Sequence, residues 1–147
     1  LYNLHVLGGC NAGTFQEAEG QQTCKTCPQG FYCLEGASAA LPCEGGTFSS
    51  QTGAQSSEDC TGCPAGTFCF AGSTVAMSCS KGTYAAAERS QLCDACPEGK
   101  YQGEVGATAC NECGGGFTCP EGSVVQIPAS CPAGTYQLDP SSDTCVG

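Results

Sequence analysis

The stretch Cys60-Thr61-Gly62-Cys63-Pro64-Ala65-Gly66-Thr67-Phe68-Cys69 carries the unit from which the whole chain is built. Cys63 opens it, and Pro64 fixes φ behind the cysteine. Gly66 then supplies a positive φ that few other residues tolerate, so the run predicts a tight turn that swings the chain back under Cys63. Thr67-Phe68 starts a short strand. Cys60 belongs to the unit before, which makes Cys60/Cys63 a C-x-x-C step at a unit boundary.

The same opener, C-x-x-G followed within one or two residues by an aromatic, occurs eight times, at Cys10, Cys27, Cys43, Cys63, Cys79, Cys96, Cys113 and Cys131. Successive starts lie 17, 16, 20, 16, 17, 17 and 18 residues apart, which is the signature of a repeat architecture. Each of these units 1 to 8 holds one further cysteine, the closer: Cys24, Cys33, Cys60, Cys69, Cys93, Cys110, Cys119 and Cys145. Openers and closers account for all 16 cysteines.

Closers are of two kinds. In long units 13 or 16 residues separate opener from closer, and the next unit follows after two residues. In the short units 2, 4 and 7 the gap is five residues, and a tail of nine to eleven precedes the next opener. Grouped by tails, the chain divides into an apolar tail or linker at 1–9, repeats at 10–42 and 43–78, an extended repeat at 79–130 and a partial repeat at 131–147. Leu1 to Leu7, Val124 to Pro128 and, more weakly, Val75 with Met77 concentrate the β-formers. The plain reading has these tails packing across the joint between modules. The sharper one makes Leu1, Tyr2, Leu4, Val6 and Leu7 an assembly edge that adds to an adjacent copy.

Composition sets the class. Cysteine makes up about 11 % of 147 residues, while Leu, Ile, Val and Phe together number 20, with no Trp and one Met. Ordering each residue costs on the order of 1–2 kcal/mol of backbone entropy, which so little apolar surface cannot offset. Covalent loops must shrink the unfolded ensemble instead, a loop of about 15 residues being worth roughly 3 kcal/mol. An even cysteine count beside a single histidine, His5, favours disulfides over thiolate sites, and disulfides persist in oxidising compartments. The expected location is extracellular or at a cell surface. The start at Leu1, without an initiator Met or a signal-like stretch, is read as a mature or excised segment. A net charge of −10 repels phosphate backbones and anionic lipid, so neither nucleic acid nor direct membrane insertion is expected.

The openers and C-x-x-C steps, most diagnostically Cys60 to Cys69, Cys93 to Tyr101 and Cys131 to Cys145, resemble ephrin-receptor-like cysteine-rich repeats of the GCC2/GCC3 type. More loosely they resemble repeats of tumour-necrosis-factor receptors and EGF-like modules. The resemblance implies a small disulfide-rich fold, an elongated tandem array of short β-hairpin modules with little helix, and no activity of its own. In the receptor-type submodule the opener bonds to the next cysteine. That pairing agrees with the unit count and joins Cys10–Cys24, Cys27–Cys33, Cys43–Cys60, Cys63–Cys69, Cys79–Cys93, Cys96–Cys110, Cys113–Cys119 and Cys131–Cys145. A crossed arrangement within Cys24, Cys27, Cys33 and Cys43 stays open, since sequence alone does not set connectivity.

The openers' aromatics, Phe15, Phe48, Phe68, Tyr84, Tyr101 and Tyr136, are expected to lie on a disulfide of their own or a neighbouring unit and to supply most of its apolar area. Catalysis has no footing: His5 sits in an apolar tail without a nearby acid. Cys93-x2-Cys96-x13-Cys110-x2-Cys113 approaches a zinc-ribbon spacing, but its steps fall at unit boundaries. Glu58, Asp59, Asp94, Asp139 and Asp143 make no D-x-D-x-D-G loop for calcium. No cofactor or metal is expected. Thirteen Ser and thirteen Thr leave room for O-linked glycans, and no N-x-[ST] sequon occurs. The reading that results is a non-enzymatic extracellular repeat protein, a spacer or the subunit of a filament that assembles head to tail. Its partners are then further copies or other extracellular proteins, and a ligand-binding or adhesive ectodomain is the alternative.

Overall fold

The computed structural model describes residues 9–20, 23–131, 133–137 and 145–147. Each opener builds its hairpin in the same way. In unit 3 the Thr47 N–H donates to the Glu44 carbonyl at 3.0 Å across a turn whose third residue, Gly46, has φ of +88°. A positive φ at that position alone defines a type II turn. The Thr47 hydroxyl donates to the same carbonyl at 2.7 Å, and Thr14, Thr67 and Thr83 repeat the bond. Threonine therefore recurs at the head of the strand because it locks the turn it follows.

Among the described residues the result is eight two-stranded antiparallel sheets with two residues per strand. Thr14–Phe15 pairs with Lys25–Thr26, Phe31–Tyr32 with Leu41–Pro42, Thr47–Phe48 with Thr61–Gly62 and Thr67–Phe68 with Met77–Ser78. Thr83–Tyr84 pairs with Asp94–Ala95, Lys100–Tyr101 with Asn111–Glu112, Phe117–Thr118 with Ile127–Pro128 and Tyr136–Gln137 with Cys145–Val146. The helical content is one 3-10 turn, Ser57–Asp59, again among the described residues.

A second turn in each of units 1 to 7 explains both kinds of closer. It is centred on Gly20, Gly36, Gly53, Gly72, Gly106 and Gly122, all at positive φ, and on Arg89, whose φ is 61°. In units 1, 5 and 6 the closer stands four residues after that centre, as Cys24, Cys93 and Cys110. In short units 2 and 4 that place holds Ala40 and Ala76, and the cysteine stands instead directly after the aromatic strand, as Cys33 and Cys69. The backbone path is shared and the crosslink moves along it. The long spacing of unit 3 comes from Ser57–Asp59, whose Asp59 carboxylate accepts the Gln55 and Ser56 N–H groups at 2.7 and 3.3 Å. That of unit 7 comes from Ala129-Ser130, set between the strand Ile127–Pro128 and Cys131.

The interior is cystine. Cys27, Cys33, Cys43, Cys63, Cys69, Cys79 and Cys96 are wholly buried, together with small or clipped residues such as Ala54, Ala85, Thr47, Ser49 and Gln102. Phe15, Phe48, Phe68, Tyr84 and Tyr101 are half-buried. A two-stranded sheet of two-residue strands brings no second layer to cover them.

Candidate functional site

The cysteine side chains form one kind of crosslink. Opener joins closer within each unit: Cys10–Cys24, Cys27–Cys33, Cys43–Cys60, Cys63–Cys69, Cys79–Cys93, Cys96–Cys110, Cys113–Cys119 and Cys131–Cys145, with Cα separations of 5.7–6.3 Å. No cysteine is free, and no cluster of metal-ligating side chains occurs among the described residues. Leu1, Tyr2, Leu4, His5, Val6 and Leu7 lie outside the described residues.

What the array builds repeatedly is a joint between units. Between units 2 and 3 the Gly30 N–H donates to the Ser49 carbonyl at 2.8 Å, the Cys33 N–H to the Ala54 carbonyl at 3.0 Å, and the Gly53 N–H to the Cys27 carbonyl at 2.8 Å. The five other joints from unit 1 to unit 7 use the equivalent groups, at 2.6–3.2 Å. Units two apart also touch. A Cβ on Gly13 would lie 2.6 Å from the Gly53 carbonyl oxygen, and Cβ atoms on Gly30, Gly46, Gly66 and Gly82 would overlap the carbonyls of Gly72, Arg89, Gly106 and Gly122. Glycine is required there because a neighbour's main chain occupies the side-chain space.

The residue after the aromatic strand is the hub of the joint, since both of its backbone groups point to neighbouring units. In short units it is the closer itself. In units 1 and 6 it is Gln16 and Gln102, whose amides clip the loop. Gln16 Nε2 donates to the Thr23 carbonyl at 2.7 Å and its Oε1 accepts the Ala18 N–H at 3.0 Å. Gln102 does the same with Ala109 and Glu104, at 2.8 and 2.9 Å. Sequence reading passed over both glutamines, although aligning the units on the aromatic exposes them as stand-ins for Cys33, Cys69 and Cys119.

The tails meet the joint with backbone, through the N–H groups of Gly36, Gly72 and Gly122, and leave apolar side chains outside. Leu34, Leu41, Phe70, Val75, Val124, Val125 and Ile127 are all exposed, as are Leu92 and Val105 in long units. Phe68 and Phe70 stack edge to face with centroids 5.3 Å apart. Charge is sparse. Lys25 pairs with Glu17, and its hydrogen bond holds that carboxyl below the usual range. Lys100 pairs with Glu112 at 2.9 Å, and that hydrogen bond pushes its ammonium up.

A family model described as tyrosine-protein kinase ephrin type A/B receptor-like matches residues 66–113 and 82–126. Residues 66–126 are ephrin-receptor-like cysteine-rich repeats. The same opener, second turn and joint continue outside them into units 1 to 3. The chain is 35 % identical to Signal peptide, CUB and EGF-like domain-containing protein 2 of Danio rerio over 37 % of its own length, and it spans 7 % of the length of that protein. No helix among the described residues is long and apolar enough to cross a membrane.

Proposed function

We propose that this chain is an extracellular structural array, a stiff spacer of a surface protein or the subunit of an extracellular filament. The carrying observation is the joint. Six successive joints repeat the same three backbone hydrogen bonds, so no soft linker interrupts units 1 to 7. Each unit is also closed by its own covalent bond. Repeat stacking of this kind carries load along its axis through nearest neighbours. Ephrin-receptor-like repeats and an EGF-like relative support an extracellular place, with other extracellular proteins or further copies as partners and no catalytic step. Force spectroscopy of the oxidised protein tests this. Extension should be confined to the tails and two-residue links until a reductant is added, and unravelling of whole units with their bonds intact would refute it.

A second reading, an adhesive or ligand-binding ectodomain, draws support from the half-buried aromatics and from Phe70, which is 58 % exposed.

A further inference from the structure

Charge is distributed unevenly along the array. Residues 60–80 form its longest run without a charged side chain, 21 residues including all of unit 4. Units 4 and 5 together, residues 63–95, hold Lys81 and Arg89 against Glu88 and Asp94 and are neutral, so the remainder carries the whole net charge of −10.

The neutral segment also bears apolar relief. Phe70 and Leu92 are 58 % and 64 % exposed, and with Phe68 they wall a cleft of about 340 Å³ rimmed by the hydroxyls of Ser78, Ser80 and Thr83. Among the three short units the residue after the closer is Leu34, Phe70 or Pro120, so this cleft with a projecting ring is peculiar to unit 4. A knob beside an apolar hole on one surface is self-complementary about a two-fold axis.

We propose that two copies of this chain pair through units 4 and 5, Phe70 of each entering the Phe68–Leu92 cleft of the other. A second copy is the occupant that this self-complementary shape selects, and the neutral stretch is where two copies can meet. Two molecules of −10 repel over most of their length, and the neutral stretch lets apolar surfaces meet without opposing like charges. One ring and its surround bury far less than the roughly 1,200–2,000 Å² of a stable interface, so association appears only at about 0.1–1 mM.

Sedimentation equilibrium of the oxidised protein between about 0.02 and 0.5 M salt tests the pairing. The expected result is a dimer that tightens several-fold as salt screens the repulsion. It should be lost in Phe70→Ser and kept in Val125→Ser, whose valine in unit 7 is 61 % exposed. Intact disulfides in both variants, checked by free-thiol assay, guard against misfolding, and Leu92→Ser serves if Phe70→Ser fails that check. A monomer at about 1 mM throughout, association that weakens with salt, or association indifferent to the cleft variants would each overturn it. None of these results bears on the stiffness measurement, so the two readings fail separately.

Discussion

Moving one crosslink tests whether long and short units share a backbone path. In unit 6 the double substitution Gln102→Cys with Cys110→Ala recreates a short unit. Residue 102 occupies the place of Cys33, Cys69 and Cys119, and residue 110 that of Ala40 and Ala76. The Cα separation spanned by the Cys96–Cys110 bond is 5.8 Å, against 5.9, 6.3 and 6.1 Å in the three short units, so the new bond demands no different reach. The closed loop falls from about 15 to about 7 residues, which lowers the chain-entropy contribution by about 0.7 kcal/mol. The Gln102 clip to Ala109 and Glu104 is also lost, worth about 1 kcal/mol per bond. The variant should therefore fold with eight disulfides and be about 1–3 kcal/mol less stable to denaturant with its bonds intact. Peptide mapping should find Cys96 bonded to the cysteine introduced at position 102. A free thiol at that position, a scrambled partner, or a loss beyond about 5 kcal/mol would rule out the shared path.

Further outcomes follow from the same geometry. Gly46→Ala should cost more than about 3 kcal/mol, because its Cβ meets the Arg89 carbonyl at a φ of +88°. Gly20→Ala, with nothing described within 4 Å, should lose only about 1–2 kcal/mol to φ, and denaturant midpoints of the two variants separate these terms. Arg89→Gly relieves the non-glycine residue at φ 61° and should stabilise by about 0.5–1 kcal/mol, read as a raised midpoint. Stability should be nearly flat from about pH 5 to 9. The Glu17 carboxyl is held low, so its contribution is present above the unfolded value and fades as pH falls through the acid range. The Lys100 ammonium is pushed up, so its contribution is complete below the unfolded value and fades only as alkali rises through the folded one. Glu17 is exposed and Lys100 only half-buried, and thermal melts that shift strongly between about pH 5 and 9 would contradict this.

The unit, its hairpin and its cystine-dependent class were legible because they rest on local chemistry: Gly at a positive φ, Thr back-bonded to the turn, a cysteine fixed at each end. The contact between units two apart was not. Nothing in the spacing of Gly13 and Gly53 announces that one fills the side-chain space of the other, since that depends on how three units wind together. How far the aromatics are covered was not legible for a related reason. Periodicity places Phe48 and Tyr84 on strands, but only the count of layers decides whether anything packs on them. The exposed Phe70 had a sequence signal, the uncharged run 60–80, visible once charge is plotted unit by unit, whereas Leu92 lies beyond that run.

The joint explains how so little apolar surface suffices. An isolated two-stranded hairpin is marginal in water, and here each would also leave three backbone groups open on either side. Stacking satisfies them, and the buried sulfurs of Cys27, Cys43, Cys63 and Cys79 exclude water from the line along which those bonds run. A unit's crosslink therefore protects more than its own loop. Opening Cys63–Cys69 frees the Cys69 carbonyl that accepts from Gly46 and the Cys63 carbonyl that accepts from Arg89, loosening the joints on both sides at once. Reduction should accordingly proceed as a cooperative loss of neighbouring units around the first broken bond, and partly reduced molecules should carry their free thiols in adjacent units. Free thiols scattered at random along the array, mapped by alkylation and peptide analysis, would show that the units stand independently and that the joint contributes little.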